Sequence, residues 1–152
     1  MQTGAYRNIV VAYDGSEGSR AALQRAAGLA AAGGAALTLV QATREESETL
    51  SPNALSHSAS RPDPESAVQA RHSLEQAISE LDASLQASPR VAAGPAGEAI
   101  IGVADEIDAD LIVTGSRGRG RFARTVLGSV STELVHDAPC DVLVVHSFGK
   151  SE

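Results

Sequence analysis

Tryptophan is absent from the 152-residue chain, and phenylalanine and tyrosine occur twice each. Aromatics at 3% leave the core to Val, Ile, Leu and Ala. The single cysteine, Cys140, excludes an internal disulfide and a cysteine-based zinc site, and fits a reducing cytoplasm. No stretch reaches the ~18 consecutive apolar residues of a membrane span. The start, Met1 to Arg7, lacks the apolar region of a signal peptide. Basic residues number 12 against 19 acidic, for a net charge of −7. Such a chain lacks the overall basic face of a non-specific duplex DNA binder. We expect a soluble cytoplasmic protein with no nucleic-acid or membrane partner.

What is present is ordinary for a globular protein: 43% hydrophobic and 20% charged residues. The length fits one domain of ~150 residues. Asn8 to Tyr13 is a nearly continuous apolar run, as in a strand covered on both faces. Asp14-Gly15-Ser16 breaks it, and Ser16 or Ser19 can cap a helix that ends at Gly33-Gly34. Ala36 to Gln41 reads as a second strand. From Thr43 to about Asp63 periodicity disappears among Ser, Glu, Asn and Pro, and we expect a mobile loop. Pro64 to about Ala87 has the spacing of a long helix, with Val68, Ala70, Leu74, Ala77, Ile78, Leu81 and Leu85 on its apolar face. A short strand is expected over Arg90 to Ala93, and a helix from Glu98 through Ile107. Asp110 to Thr114 reads as a fourth strand. The last helix is expected over Gly128 to His136, with Val130, Leu134 and Val135 inward. Asp141 to Val145 is the fifth strand. Strands alternating with helices argue for a single α/β domain with a doubly wound parallel sheet. Ligands of such sheets bind beyond the carboxyl ends of the strands.

The loop after Thr114 carries the strongest functional signal. Gly115, Gly118, Gly120 and Gly128 let backbone N–H groups approach a phosphate. Ser129 and Ser131 stand where a helix begins, so hydroxyls, free N–H groups and the helix dipole together suit an anion. Arg117, Arg119, Arg121 and Arg124 add local positive charge. The plainer reading is a solvated basic loop before a serine-capped helix. The G-x-x-x-x-G-K-[ST] phosphate loop is absent. Gly118 to Ala123 matches G-x-G-x-x-A, but its first glycine lies too far past the strand, and the next strand ends without a ribose-binding acid.

Asp14, just past the first strand, could hold a ribose or assist a metal near phosphates; it could equally bond its own turn. Val40 could line an apolar slot for a base, or be ordinary core. His57, His72, His136 and His146 show no metal-ligand spacing. Cys140 reads as a small buried hydrophobe rather than a nucleophile. There is no G-x-S-x-G elbow, no residue reads as a general base, and no catalytic or protein-metal site is expected.

Gly115, Gly118 and Gly128-Ser129 fit G-x2-G-x9-G-[ST] with full spacing. With Asn8-Ile-Val-Val-Ala-Tyr-Asp-Gly-Ser, Gly94-Pro-Ala-Gly-Glu-Ala-Ile and Ala138-Pro-Cys-Asp-Val-Leu-Val-Val, the chain resembles the universal stress protein family over about residues 6–147. The segment from about 43 to 63 is a variable insertion outside the resemblance. The resemblance implies a five-stranded sheet of order 3-2-1-4-5, of the adenine nucleotide alpha hydrolase-like type. It also implies the family subgroup that binds ATP. Asp14 would contact the adenosine or assist at the ribose. Ala12 and Val40 would line the adenine slot, with the Val40 backbone reading the base edge. Thr114 and Gly115 would lie near the ribose. Gly118, Gly128, Ser129, Val130 and Ser131 would wrap the phosphates, bridged by Mg2+. In a cyclic-nucleotide variant of the site, Arg117 or Arg124 would meet the one phosphate. The resemblance further implies a homodimer through Asp141 to Val145, and a nucleotide-dependent stress-response regulator rather than an enzyme. A slow ATPase, a cyclic-nucleotide binder and a partner-binding module indifferent to nucleotide are the alternatives.

Overall fold

The computed structural model describes residues 4–45, 62–116 and 127–147. In chain order the elements are β1 (Asn8–Ala12), α1 (Glu17–Gly33), β2 (Ala36–Thr43), α2 (Pro64–Ser79), β3 (Ala87–Ala93), α3 (Ala96–Glu106), β4 (Leu111–Gly115), α4 (Ser129–Asp137) and β5 (Asp141–Val145). The five strands form one sheet of order β3-β2-β1-β4-β5, and every pairing is parallel. Strand order reverses between β1 and β4.

Parallel strands need crossover helices, and these bury both faces of the sheet. Ile9, Val11, Leu37, Leu39, Leu111 and Val113 point to one face, where α1 supplies Ala22, Leu23 and Ala26 and α2 supplies Leu74 and Ala77. Val10, Ala12, Val40 and Ile112 point to the other, against Ile100, Val103 and Ala104 of α3 and Leu134 of α4. This two-sided demand explains the unbroken apolar run Ile9 to Ala12, all of it buried. Each fully buried aliphatic side chain contributes roughly 1.5–3 kcal/mol.

Some boundaries depart from the sequence reading. The α2 helix ends at Ser79, about eight residues early. Glu80 and Leu81 close a tighter turn on Ala77 and Ile78. Asp82 then accepts the Ser84 N–H (2.9 Å) and Ser84 hydroxyl (2.8 Å), a local turn that competes with helix. Leu81 and Leu85 still pack on the core from outside the helix. Strand β3 starts at Ala87 rather than Arg90, and α3 at Ala96 rather than Glu98. Val135 is not inward but 52% exposed, and Val68 is 70% exposed. In the nine-residue α4 the inward positions go to Ser131 and Leu134. Val135, one residue on, is turned about 100° away.

Of the expected 43–63 loop, Thr43 belongs to β2 and Asp63 caps α2. Glu45 pairs with Pro62 in an antiparallel bridge. Residues 46–61 lie outside the described residues.

Candidate functional site

Three chain segments leave the carboxyl ends of β1, β2 and β4 side by side. After β1 the chain turns through Gly15 at φ +81°, a left-handed conformation that favours glycine. Asp14 Oδ1 accepts the Ser16 N–H at 2.9 Å, and the Asp14 N–H donates to Ser19 Oγ at 3.3 Å. Ser16, not Ser19, caps α1: its hydroxyl accepts the Ser19 N–H at 3.2 Å. Buried Ser19 in turn donates to the Ser16 carbonyl at 3.0 Å. One Asp14 oxygen therefore serves its own turn, at the point where strand order reverses.

At the end of β2 the ladder decides which groups are available. The Ala36 N–H donates to the Arg7 carbonyl, and the Val40 carbonyl accepts the Tyr13 N–H, so even-numbered residues of β2 face β1. The Leu37 N–H donates to Gln86 and the Thr43 carbonyl accepts from Gly94, so odd-numbered ones face β3. The paired register of β1 ends at Ala12 opposite Val40, while β2 runs on to Thr43. The N–H and C=O of Ala42 thus face the side that β1 has left, and among the described residues no backbone group answers them. Val40 has its main chain in the sheet and its side chain wholly in the core. Ala12, 9% exposed, forms the floor on the same face. Sequence reasoning singled out Val40 and did not consider Ala42, whose main-chain groups are the ones the β1–β2 ladder leaves over. The signal was that the second apolar run outlasts the first.

At the end of β4, Thr114 is buried, and its hydroxyl donates to the Gly115 carbonyl at 3.3 Å. Gly115 lies against the first turn of α1: a Cβ there would stand 2.7 Å from the Gly18 carbonyl carbon and oxygen. The Ser116 N–H donates to Val145 at 3.0 Å, and the Gly128 N–H to the Ser116 carbonyl at 2.8 Å. Ser116 and Gly128 thereby fasten the two ends of the glycine- and arginine-rich segment. Arg117 and Gly118, with the other three arginines, lie outside the described residues.

The N-cap of α4 is Gly128, with no side-chain cap, and Ser129 is the first helical residue. The first intrahelical bond is Thr132 N–H to the Gly128 carbonyl. The N–H groups of Ser129, Val130 and Ser131 precede it and carry the positive end of the helix dipole. The exposed Ser129 side chain stands at this end. The Ser131 side chain is turned inward, 2% exposed. Its hydroxyl donates to the carbonyls of Gly128 (3.0 Å) and Ser116 (3.4 Å), tying α4 to β4. What Ser131 offers at the helix end is its backbone N–H.

The remaining chemistry is muted. Burial, reinforced by Asp141 and Asp110, raises the Cys140 thiol pKa, the opposite of an activated nucleophile. The Tyr6 hydroxyl donates to Asp141 Oδ2 at 2.9 Å, and that bond, more than any other influence, raises its pKa. His72, His136 and His146 are exposed, and His57 lies outside the described residues. Among the described residues no group of three or more His, Cys, Asp or Glu side chains could hold a metal ion, and no helix is long and apolar enough to cross a membrane.

Comparison with known proteins agrees with this architecture. The family model described as "Universal stress protein family" matches residues 5–146. A Staphylococcus aureus (strain USA300) protein bearing the universal stress protein name is 34% identical over 154 residues, covering 93% of this chain and 85% of its own. A universal stress protein solved in complex with cAMP superposes with a TM-score of 0.65 at 31% identity, covering 95% of this chain and 100% of the other. The Archaeoglobus fulgidus universal stress protein, solved in complex with dAMP, gives a TM-score of 0.68 at 24% identity, covering 92% of this chain and 98% of the other. A family match across nearly the whole chain, a 34% identical relative and the same fold leave one assignment: this chain belongs to the universal stress protein family.

Proposed function

We propose that the protein binds an adenine nucleotide, ATP with Mg2+ in the first instance, as a regulatory ligand in the cytoplasm. The observation that carries this reading is the pairing on one crevice of two sets of backbone groups that find no partner among the described residues. The Ala42 N–H and C=O form a donor–acceptor edge suited to a base, at the side that β1 vacates. The first-turn N–H groups of α4 suit phosphate. Ala12 and Thr114 form the floor between them, and Asp14 stands at the reversal of strand order. The base-reading role expected at Val40 moves to Ala42 in this proposal. Gly115, Gly118, Gly128, Ser129, Val130 and the Ser131 N–H take the phosphates and the adjoining ribose, and Mg2+ is held through the phosphates. Among the described residues no group stands out as a general base aimed at a water, which favours a binding protein over an ATPase. The relative solved with cAMP favours a second reading, in which a cyclic nucleotide occupies the same crevice and Arg117 or Arg124 meets its one phosphate.

The protein acts as a homodimer through β5. The outer edge of β3 carries Pro89, whose position faces away from β2 and has no N–H to offer. The outer edge of β5 has no such block. The Val145 carbonyl faces β4, so Val142 and Val144 face outward. An antiparallel partner centred on Leu143 would pair Val142 with Val144 of the partner subunit, and the reverse, through four backbone bonds.

Titration calorimetry of nucleotide-stripped protein with ATP, with and without Mg2+, and with cAMP tests the proposal. Micromolar binding (about −8 kcal/mol) weakened by Gly118→Ala is the expected result. No heat with ATP, ADP or cAMP would overturn it in favour of a partner-binding module.

A further inference from the structure

We propose that Glu133 is a charge-selectivity residue of the crevice: its carboxylate is a resident anion that penalises each additional negative charge on the ligand. The inference rests on the nucleotide-binding reading above.

Helices α3 and α4 cover the same face of the sheet, the face to which Ala12 belongs. Each begins just beyond the carboxyl end of a strand. They meet where Gly97, the second residue of α3, is buried against Glu133 of α4. A Cβ at residue 97 would fall inside the Glu133 carboxylate, colliding with both oxygens and with Cδ. The glycine lets the carboxylate lie directly on the α3 main chain. The cap there is Pro95, which gives no side-chain bond. The first helical bond runs from the Ala99 N–H to the Pro95 carbonyl, so this is the positive end of α3. Among the described residues the Glu133 side chain makes no hydrogen bond and forms no ion pair. The carboxylate therefore lies against the positive end of α3, on the side of the sheet where the strands end, and among the described residues no side-chain cation is paired with it.

Two helix ends therefore flank the crevice and only one of them, α4, is open to a phosphate. The other already holds an anion, one that repels a ligand in proportion to the ligand's charge. A singly charged cyclic nucleotide is least affected, a nucleoside monophosphate more so, and a triphosphate most, with Mg2+ relieving part of the repulsion. Glu98, exposed in the same turn of α3, is unchanged in every variant below.

The test compares affinities for cAMP, AMP and ATP, the last with and without Mg2+, in the full-length protein, Glu133→Gln and Glu133→Asp. Gln has the same shape without the charge. The expected result is that Glu133→Gln tightens metal-free ATP about fivefold and cAMP less than twofold, while Glu133→Asp keeps the parent ratio. Equal melting temperatures of the parent and Glu133→Gln show that the shift is one of charge. If all three ligands bind with a ratio unmoved by Glu133→Gln, or if that variant weakens ATP, this inference fails and the nucleotide reading stands. If no nucleotide binds any of the proteins, both fall together.

Discussion

Gly115 and Gly18 meet main chain to main chain: a β-carbon on residue 115 would stand 2.7 Å from the Gly18 carbonyl carbon and oxygen. The first glycine of the three-glycine pattern is therefore required by helix–strand packing at the β1–β4 reversal, whatever it does for a ligand. Because the obstacle is backbone, a side chain cannot swing aside to relieve it. Gly115→Ala should destabilise the nucleotide-free protein by about 1–3 kcal/mol, read as a lower urea midpoint with an unchanged slope. A midpoint equal to that of the parent would show that α1 withdraws freely from β4.

The Ala42 edge makes a sharper demand. Its N–H faces the side β1 has left, so proline there removes a donor from the crevice without removing a ladder bond. Ala42→Pro should weaken adenine nucleotide binding about tenfold, the loss of a hydrogen bond of roughly 1.4 kcal/mol. Val40→Ala should act through stability instead, since Val40 is fully buried in the core. Unchanged calorimetric affinity for Ala42→Pro would return the base-reading role to another group.

How much of this was legible beforehand depends on which property each residue answers to. The apolar runs of β1, β4 and β5 announced themselves because strands covered on both faces need continuous hydrophobicity. The residues alone gave a parallel doubly wound sheet, and the order 3-2-1-4-5 came with the family resemblance. The end of α2 was misread because Leu81 and Leu85 keep helical spacing while Asp82 and Ser84 divert the backbone into a turn. Val135 was misread because an apolar residue beside Leu134 looks like core until the rotation of a short helix is fixed. Ala42 was not singled out because what it offers lies in its backbone and in where a neighbouring strand stops, and neither is written in a side chain. Glu133 was invisible for a similar reason: it matters only once Gly97, far off in sequence, is brought beneath it.

The cap of α2 gives stability a dependence on acid. Asp63 Oδ2 accepts the Ser66 N–H at 3.0 Å and the Ser66 hydroxyl at 2.9 Å. These bonds, backbone first, then side chain, with Arg44 adding to them, hold the Asp63 carboxyl below its ordinary value. The folded state thus favours the ionised form. Its contribution is complete above the ordinary carboxylate range and is lost as pH falls through the lower folded value. Asp63→Asn keeps a capping oxygen but does not titrate. The parent should exceed this variant in stability at pH 7, and the gap should close as the solution is acidified into the carboxylate range. Chemical denaturation at a series of pH values measures the gap, and one that persists undiminished below pH ~2 would rule out the ionised cap as its source.

The edge of β5 offers a test that separates association from folding. Val145 faces β4, so Leu143 also faces β4, and Val144 faces outward. Proline at 144 lacks an N–H that the monomer's ladder does not use, and an edge strand tolerates it there. In the proposed dimer that same N–H donates to Val142 of the partner subunit, and its loss occurs twice by symmetry. Val144→Pro should therefore sediment as a monomer while keeping the parent's circular dichroism and nucleotide affinity. Leu143→Pro, which takes an N–H from the β4–β5 ladder, should instead lose stability. A Val144→Pro protein that remains dimeric would place the interface elsewhere, since the Pro89 edge of β3 is already closed to strand addition.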